Sequence, residues 1–417
     1  MGSIQIQGGR PLCGEVSIQG SKNAALPVMA ASVLAPGITT LKNCPEISDV
    51  ACMCELLRHV GAKVYRQENV LTIDATEITD CRLPREYVTR MRSSVVLAGA
   101  MLGRCHEISL TFPGGCVIGD RPIDMHIQAL KELGAEFTEN GDNLSAKAAR
   151  LKGAVIILPF PSVGATENAV MAAVLAEGTT EIYRCAKEPE ITALCDFLNC
   201  AGAKITGQGS GHITIEGVER LHGCTYEVEP DRIVAGTYLI GALAAGGRVF
   251  LRNAPAGQLG SVCELAGFMG AKIAAEPAGI RVERQGKLRS PGFVETGIYP
   301  AFPTDLQSPF LVALCQAETM SCLTERIFNG RLAVVEELNR MGANIRVENN
   351  CAAMDGGQKL KGCSVTAKEL RGGAALVLAG ICAQGMTLVY NRHFIDRGYE
   401  DIVRDLKSLG VNIGGKK

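Results

Sequence analysis

The chain has no tryptophan, no surplus of charge of either sign and no long apolar run. Lys plus Arg total 42 against 43 Asp plus Glu, so no overall field favours nucleic acid or an anionic membrane, and the expected partners are small molecules. Gly, Pro or a charge interrupts every apolar stretch before the roughly 18 residues that a membrane span needs. Also missing are a Gly-x-x-x-x-Gly-Lys-Ser/Thr loop and a Gly-x-Gly-x-x-Gly run between a strand and a fitting helix, which argues against nucleoside triphosphate and dinucleotide chemistry. The seventeen cysteines show no repeated short spacing. Cys52-Met53-Cys54 with His59 is the nearest approach to a metal cluster, but zinc sites need four ligands at recurring spacings, so neither a metal nor another cofactor is expected. Residues Met1 to Gly9 lack the charged-then-apolar layout of a signal peptide, so the thiols are expected to be reduced, in a cytoplasmic protein.

What is present is ordinary globular usage, with 47% apolar and 20% charged residues in 417. That length exceeds one compact core and favours two domains. A phrase made of apolar helix residues, a Gly, a small residue and an apolar strand start occurs six times. It ends in Gly61-Ala62, Gly134-Ala135, Gly202-Ala203, Gly270-Ala271, Gly342-Ala343 and Gly410-Val411, at intervals of about 70 residues. Its physical content is a helix with apolar positions three or four apart, a Gly free to turn left-handed past the helix end, and a strand leaving at once. A second phrase precedes it, as in Leu34-Ala35-Pro36-Gly37-Ile38-Thr39-Thr40-Leu41, where a small-residue helix meets a β-rich run. Ala- and Gly-rich helices such as 169–176 suit a buried interior, so helices are expected inside and sheets outside.

Six units divide into three plus three. The expected domains are 21–229, and 1–20 together with 230–417, with the seam near Glu229-Pro230-Asp231. The opening strand, from Ile4 to Ile18, has no unit of its own in the first half and is expected to complete the sheet of the second. Two crossings would make a hinge, with a substrate cleft between the domains.

Gly20-Ser21-Lys22-Asn23 lies between that strand and a helix, and reads either as an anion site with a Lys or as a plain N-cap by Ser21. In Phe112-Pro113-Gly114-Gly115-Cys116-Val117-Ile118-Gly119-Asp120-Arg121, glycines on both sides of the thiol put Cys116 on an exposed loop, where Arg121 and backbone N–H groups would favour the thiolate. Arg331, Arg371 and Arg397 each adjoin a Gly-containing loop. Singly they read as solvated; together they could grip phosphate and carboxylate oxygens. Asp305, in Pro303-Thr304-Asp305-Leu306-Gln307-Ser308, reads as a helix cap or a base.

Together these motifs resemble the UDP-N-acetylglucosamine 1-carboxyvinyltransferase family, within the EPSP synthase-like enolpyruvyl transferases, over essentially the whole chain. Further matching stretches are Ser162-Val163-Gly164-Ala165-Thr166 and Asp396-Arg397-Gly398-Tyr399-Glu400. The resemblance implies a two-domain inside-out α/β barrel. It implies enolpyruvyl transfer from phosphoenolpyruvate to the sugar 3-hydroxyl by addition and elimination, at the start of peptidoglycan precursor synthesis. It makes Cys116 the general acid, able to form a thioketal adduct, and Asp305 the base. Lys22, Arg121 and Arg397 would bind the phosphate, Arg331 and Arg371 the carboxylate, with Asn23 bordering the reacting groups. The nucleotide sugar would be held by Arg92, Arg121, Pro122, Ile123, Asp124, Met125, Ser162, Val163, Gly164, Asp305 and Ile327. Phe160, Glu369, Ser308-Pro309 and Asn329-Gly330 depart from the commoner wording. The rival readings are the sister transferase acting on shikimate 3-phosphate and a non-catalytic nucleotide-sugar binder. Retention of Lys22, Cys116 and Asp305 speaks against the binder.

Overall fold

The computed structural model describes residues 2–112 and 123–416, so Cys116, Arg121 and Pro122 lie outside the described residues. These fall into two compact units, one made of 2–19 and 230–416, the other of 20–112 and 123–229. Each repeat contributes one buried helix: α1 (Lys22–Ala31), α2 (Leu97–Cys105) and α3 (Val163–Ala173) in one unit, α4 (Arg232–Ala245), α5 (Gln307–Cys315) and α6 (Leu370–Cys382) in the other. Small residues let these helices approach one another without a solvent face. Every side chain from Arg232 to Ala244 is buried, and α4, α5 and α6 pack mutually. At the contact of α2 with α3, buried Asn168 accepts from Gly99 N at 2.5 Å and donates to Val95 O at 3.1 Å, satisfying an amide that burial would otherwise penalise.

The strands alternate buried and exposed positions, so each sheet lays one face on the helices and turns the other outward, as in Thr179–Tyr183. Among the described residues five sheets repeat one four-stranded pattern, and the sixth, built on Glu107–Thr111, has three strands with a single parallel bridge from Arg82 to Ser109 in place of the fourth. In the first, Ile38–Lys42 runs parallel to Thr225–Glu227 and antiparallel to Val70–Asp74, which pairs in turn with Lys63–Gln67. The opening stretch serves two such sheets rather than forming the single strand expected. Ser3–Gln7 lies between Met386–Tyr390 and Asn412–Lys416, while Leu12–Ser17 runs parallel to Gly247–Arg252. The Gly8-Gly9-Arg10-Pro11 break separates them, a signal that period-2 alternation on either side obscured.

All six repeated glycines are left-handed, with φ between 83° at Gly410 and 112° at Gly270. Their surroundings differ, which gives a test. At Gly61 a Cβ would stand 2.7 Å from Thr79 Oγ1 and 2.9 Å from Thr79 N, whereas at Gly342 the nearest atom is Lys359 O at 3.8 Å. Gly342→Ala is expected to cost only the backbone strain, about 1 kcal/mol, and Gly61→Ala about 2–3 kcal/mol because the clash adds to it. Urea unfolding of the two variants checks the order; equal losses would show that backbone strain alone sets the cost.

Candidate active site

Most residues singled out from the sequence stand at the N-terminal ends of the buried helices. Lys22 and Asn23 open α1, and Arg92 opens the 3₁₀ turn Arg92–Val96 that leads into α2. Ser162 caps α3, with Val163 and Gly164 in its first turn. Asp305 lies in the 3₁₀ turn Thr304–Leu306 before α5, and Arg371 lies in the first turn of α6. Free N–H groups and the helix dipole make these ends favourable to anions.

In the unit containing α4, α5 and α6 the geometry is tight. Arg331 reaches Asp305 Oδ1 through Nη1 at 2.7 Å and Nη2 at 2.8 Å, and Arg371 Nη2 reaches Oδ2 at 2.9 Å. The arginine side chains are only 5% and 4% exposed, against 24% for Asp305. Burial alone would raise the Asp305 carboxyl, but the Arg371 and Arg331 guanidiniums, helped by Arg232, outweigh it and hold the group well below the usual carboxylate range. Burial works against the Arg371 charge too, and Asp305 more than compensates, so Arg371 is held even more firmly protonated than usual. Two donors remain unused: Arg371 Nη1 and Arg331 Nε are buried without a hydrogen-bond partner. Two buried guanidiniums thus converge on one carboxylate, the chain's own Asp305.

The surroundings fix these side chains. Glu369 caps α6 by accepting from Arg371 N at 2.7 Å and from Gly372 N, which anchors the arginine's backbone. Tyr399 is fully buried with its hydroxyl 2.8 Å from Thr237 Oγ1; burial raises its pKa and the Arg371 charge opposes the rise. Arg232 lies over the Tyr299 ring at 5.5 Å. Arg397 ends the 3₁₀ turn Arg392–Arg397, half-buried, and the next residues are held by Gln19, which donates to Gly398 O at 3.1 Å and accepts from Glu400 N at 2.9 Å. Ile327 is half-buried, its N–H directed at Glu325.

In the other unit Lys22 pairs with Asp49 at 2.7 Å, with 12% and 5% exposure, and Asn23 donates to buried Glu190 at 3.3 Å. Ser21 caps α1 by accepting from Ala24 N, so the capping reading of this loop holds alongside any anion role. At the start of α3 the backbone of Gly164 meets the His126 ring, where a Cβ would stand 2.7 Å from Cε1. His126 Nδ1 is 2.7 Å from Asn168 Nδ2, tying the helix Asp124–Glu132 to α3. Asp124 is the exposed first residue of its helix, Met125 is half-buried and Ile123 is buried.

Sequence reasoning missed Asp49, Glu190, Arg232 and Glu325. Asp49 and Glu190 had a faint signal, acidic residues in the first turn of amphipathic helices. Glu325, after the short strand Ser321–Thr324, carries no such signal. Among the described residues no group of three or more His, Cys, Asp or Glu is arranged to hold a metal ion, and no helix is long and apolar enough to cross a membrane.

Comparison with known proteins gives the family and the fold. Residues 6–406 match the family model of EPSP synthase (3-phosphoshikimate 1-carboxyvinyltransferase). The chain is 46% identical over 415 residues to the UDP-N-acetylglucosamine 1-carboxyvinyltransferase of Saccharophagus degradans. It is 43% identical over 413 residues to UDP-N-acetylglucosamine 1-carboxyvinyltransferase 2 of Caldanaerobacter subterraneus subsp. tengcongensis, and each alignment covers 99% of both proteins. In fold it is similar to the enolpyruvyl transferase NikO from Streptomyces tendae, with TM-score 0.89 at 24% identity over 100% of this chain and 99% of that one. It is similar also to EPSP synthase from Acinetobacter baumannii, with TM-score 0.75 at 19% identity over the whole of both chains. These neighbours bear out the two-domain inside-out α/β barrel. The chain belongs to the EPSP synthase (3-phosphoshikimate 1-carboxyvinyltransferase) family, in its UDP-N-acetylglucosamine 1-carboxyvinyltransferase branch.

Proposed function

We propose that the protein transfers the enolpyruvyl group of phosphoenolpyruvate to the 3-hydroxyl of UDP-N-acetylglucosamine and releases phosphate. The observation that carries this reading, beside the kinship, is the pair of buried guanidiniums converging on one carboxylate position with a donor to spare on each. Phosphoenolpyruvate supplies such a carboxylate. In this reading Arg331 and Arg371 take it in place of Asp305, while Lys22, Arg121 and Arg397 take the phosphate and Asn23 borders C2. Arg92, the 121–125 segment, the start of α3, Asp305 and Ile327 hold the nucleotide sugar.

Displacement from the fork changes what Asp305 can do. Gripped by two guanidiniums it has almost no affinity for a proton; once the donor's carboxylate replaces it, that affinity rises and it can accept the 3-hydroxyl proton. The sugar oxygen then bonds to C2 as Cys116 protonates the methylene carbon, giving a tetrahedral phospho-ketal. In the second step the C2–O bond to phosphate breaks, phosphate leaves with the bonding pair and takes the proton held by Asp305, and the methyl carbon gives up a proton to the Cys116 thiolate, restoring the double bond. Fixed cations around charge that moves are the largest source of rate in such chemistry. The product would enter peptidoglycan precursor synthesis in the cytoplasm, and through it cell-wall growth, shape and division.

The test is phosphate release with phosphoenolpyruvate in excess EDTA, comparing UDP-N-acetylglucosamine with shikimate 3-phosphate as acceptor. Release with the nucleotide sugar alone is expected. Release with shikimate 3-phosphate alone would replace this reading by the sister reaction, and silence with both, in folded protein that binds the nucleotide sugar, would leave a non-catalytic binder.

A further inference from the structure

Glu325 is a carboxylate with 2% exposure. Three donors converge on its Oε1: Thr296 Oγ1 at 2.9 Å, Ile327 N at 2.7 Å and Phe328 N at 3.1 Å. Its Oε2 accepts from Thr304 Oγ1 at 2.9 Å. Two of these contacts lead to the Asp305 fork. Thr304 precedes Asp305, and its hydroxyl, having given its proton to Glu325, presents a lone pair to Arg331 Nη1 at 3.4 Å. Phe328, held through its N–H, sets its ring 5.2 Å from the Arg331 guanidinium. A buried carboxylate is costly unless its hydrogen bonds repay it, and two of the four here hold groups that touch Arg331.

We infer that Glu325 is a positioning residue for the proposed reaction, holding Arg331 in its fork on Asp305 through Thr304 and the turn that carries Phe328. The inference rests on the reading of Asp305 and Arg331 given above. Its chemistry explains why a carboxylate stands here and not an amide. A glutamine has one acceptor atom, and three donors already demand it, so its NH₂ must face Thr304. The Thr304 hydroxyl would then have to accept from that NH₂, and its O–H, turned away from residue 325 and without an acceptor there, would compete with its second lone pair for the direction of Arg331 Nη1, weakening that contact, while Ile327 and Phe328 keep theirs.

The experiment compares wild type with Glu325→Gln, Thr304→Val and the double variant by steady-state kinetics with both substrates, calorimetric binding of UDP-N-acetylglucosamine, and crystal structures without ligand. Each single variant is expected to lose roughly 10- to 100-fold in kcat, as displaced catalytic groups do, with nucleotide-sugar affinity within about threefold of wild type. The double variant should be no worse than the poorer single one, because both changes break the same link, and Thr304→Ser should restore activity. The structures should show Arg331 turned from Asp305. An unaltered fork in Glu325→Gln, unchanged kcat, or losses that multiply in the double variant would overturn the inference. Wild-type inactivity with this substrate pair would instead defeat the functional reading, and the fork geometry in the variant structures would still decide the role of Glu325.

Discussion

Asp305→Asn is expected to lower kcat by about 10²–10⁴-fold while tightening the protein's hold on small carboxylates in the absence of the sugar. The two effects have one origin. The asparagine cannot take a proton from the 3-hydroxyl, and it no longer supplies the anion that fills the fork of Arg331 and Arg371. Two guanidiniums, 5% and 4% exposed, are then left facing each other without compensation, so the variant should also melt earlier. Millimolar pyruvate should raise its melting temperature and raise that of wild type much less, by mass action on a site that Asp305 no longer blocks. The pH dependence has a definite sign. A carboxyl held below its unfolded value near 3.9 contributes stability that is fully present above about pH 5 and is lost as pH falls through 4 toward 2 and below. Wild type should therefore lose more stability than Asp305→Asn between about pH 5 and 2. Calorimetric melts with and without pyruvate across that range check both claims; equal rescue of the two proteins would mean that the fork is no carboxylate receptor.

The repeat was legible because it is written in local chemistry. A left-handed Gly after an amphipathic helix is a backbone requirement, and all six copies meet it. The interior position of α4 and α6 followed from their lack of any polar face. The opening stretch was misread as one strand because alternation is a local signal, while the choice of sheet is made by partners some 230 and 410 residues away, Gly247–Arg252 and Asn412–Lys416. The site was legible in part for the same reason. Arg331 and Arg371 could be singled out by neighbouring glycines, but nothing in their local sequence says that both turn onto Asp305, since that contact is made by the packing of α5, α6 and the 3₁₀ turn Arg331–Val334 together. Glu325 was illegible because burial, not residue type, gives a carboxylate its role, and Thr324-Glu325-Arg326 looks the same whether the glutamate faces solvent or four donors.

Modification by an epoxide phosphonate is expected to be total at Cys116 and absent from most of the sixteen other cysteines. Attack on an epoxide carbon needs a thiolate, with the ring oxygen leaving as the alkoxide that then takes a proton. Burial pushes Cys105, Cys224, Cys315 and Cys382 up to about 12 and Cys185 up to about 11, so at neutral pH these hold almost no thiolate. Cys13 and Cys200 are exposed and are the competitors that matter. In sequence neither adjoins the cations assigned to the phosphate, Lys22, Arg121 and Arg397, as Cys116 adjoins Arg121, so no local concentration of the phosphonate is expected at them. One adduct per chain, on the peptide containing residues 113–121, is the expected mass spectrum. Cys116→Asp should retain a proton donor and substantial turnover but form no adduct, because a carboxylate is a far poorer nucleophile toward the epoxide. Cys116→Ala should lose the adduct together with about 10²–10⁴-fold in kcat, the usual contribution of a general acid. Adduct on Cys13 or Cys200 with the 113–121 peptide unmodified would move the acid elsewhere. An unimpaired Cys116→Ala enzyme would remove the thiol from the reaction altogether.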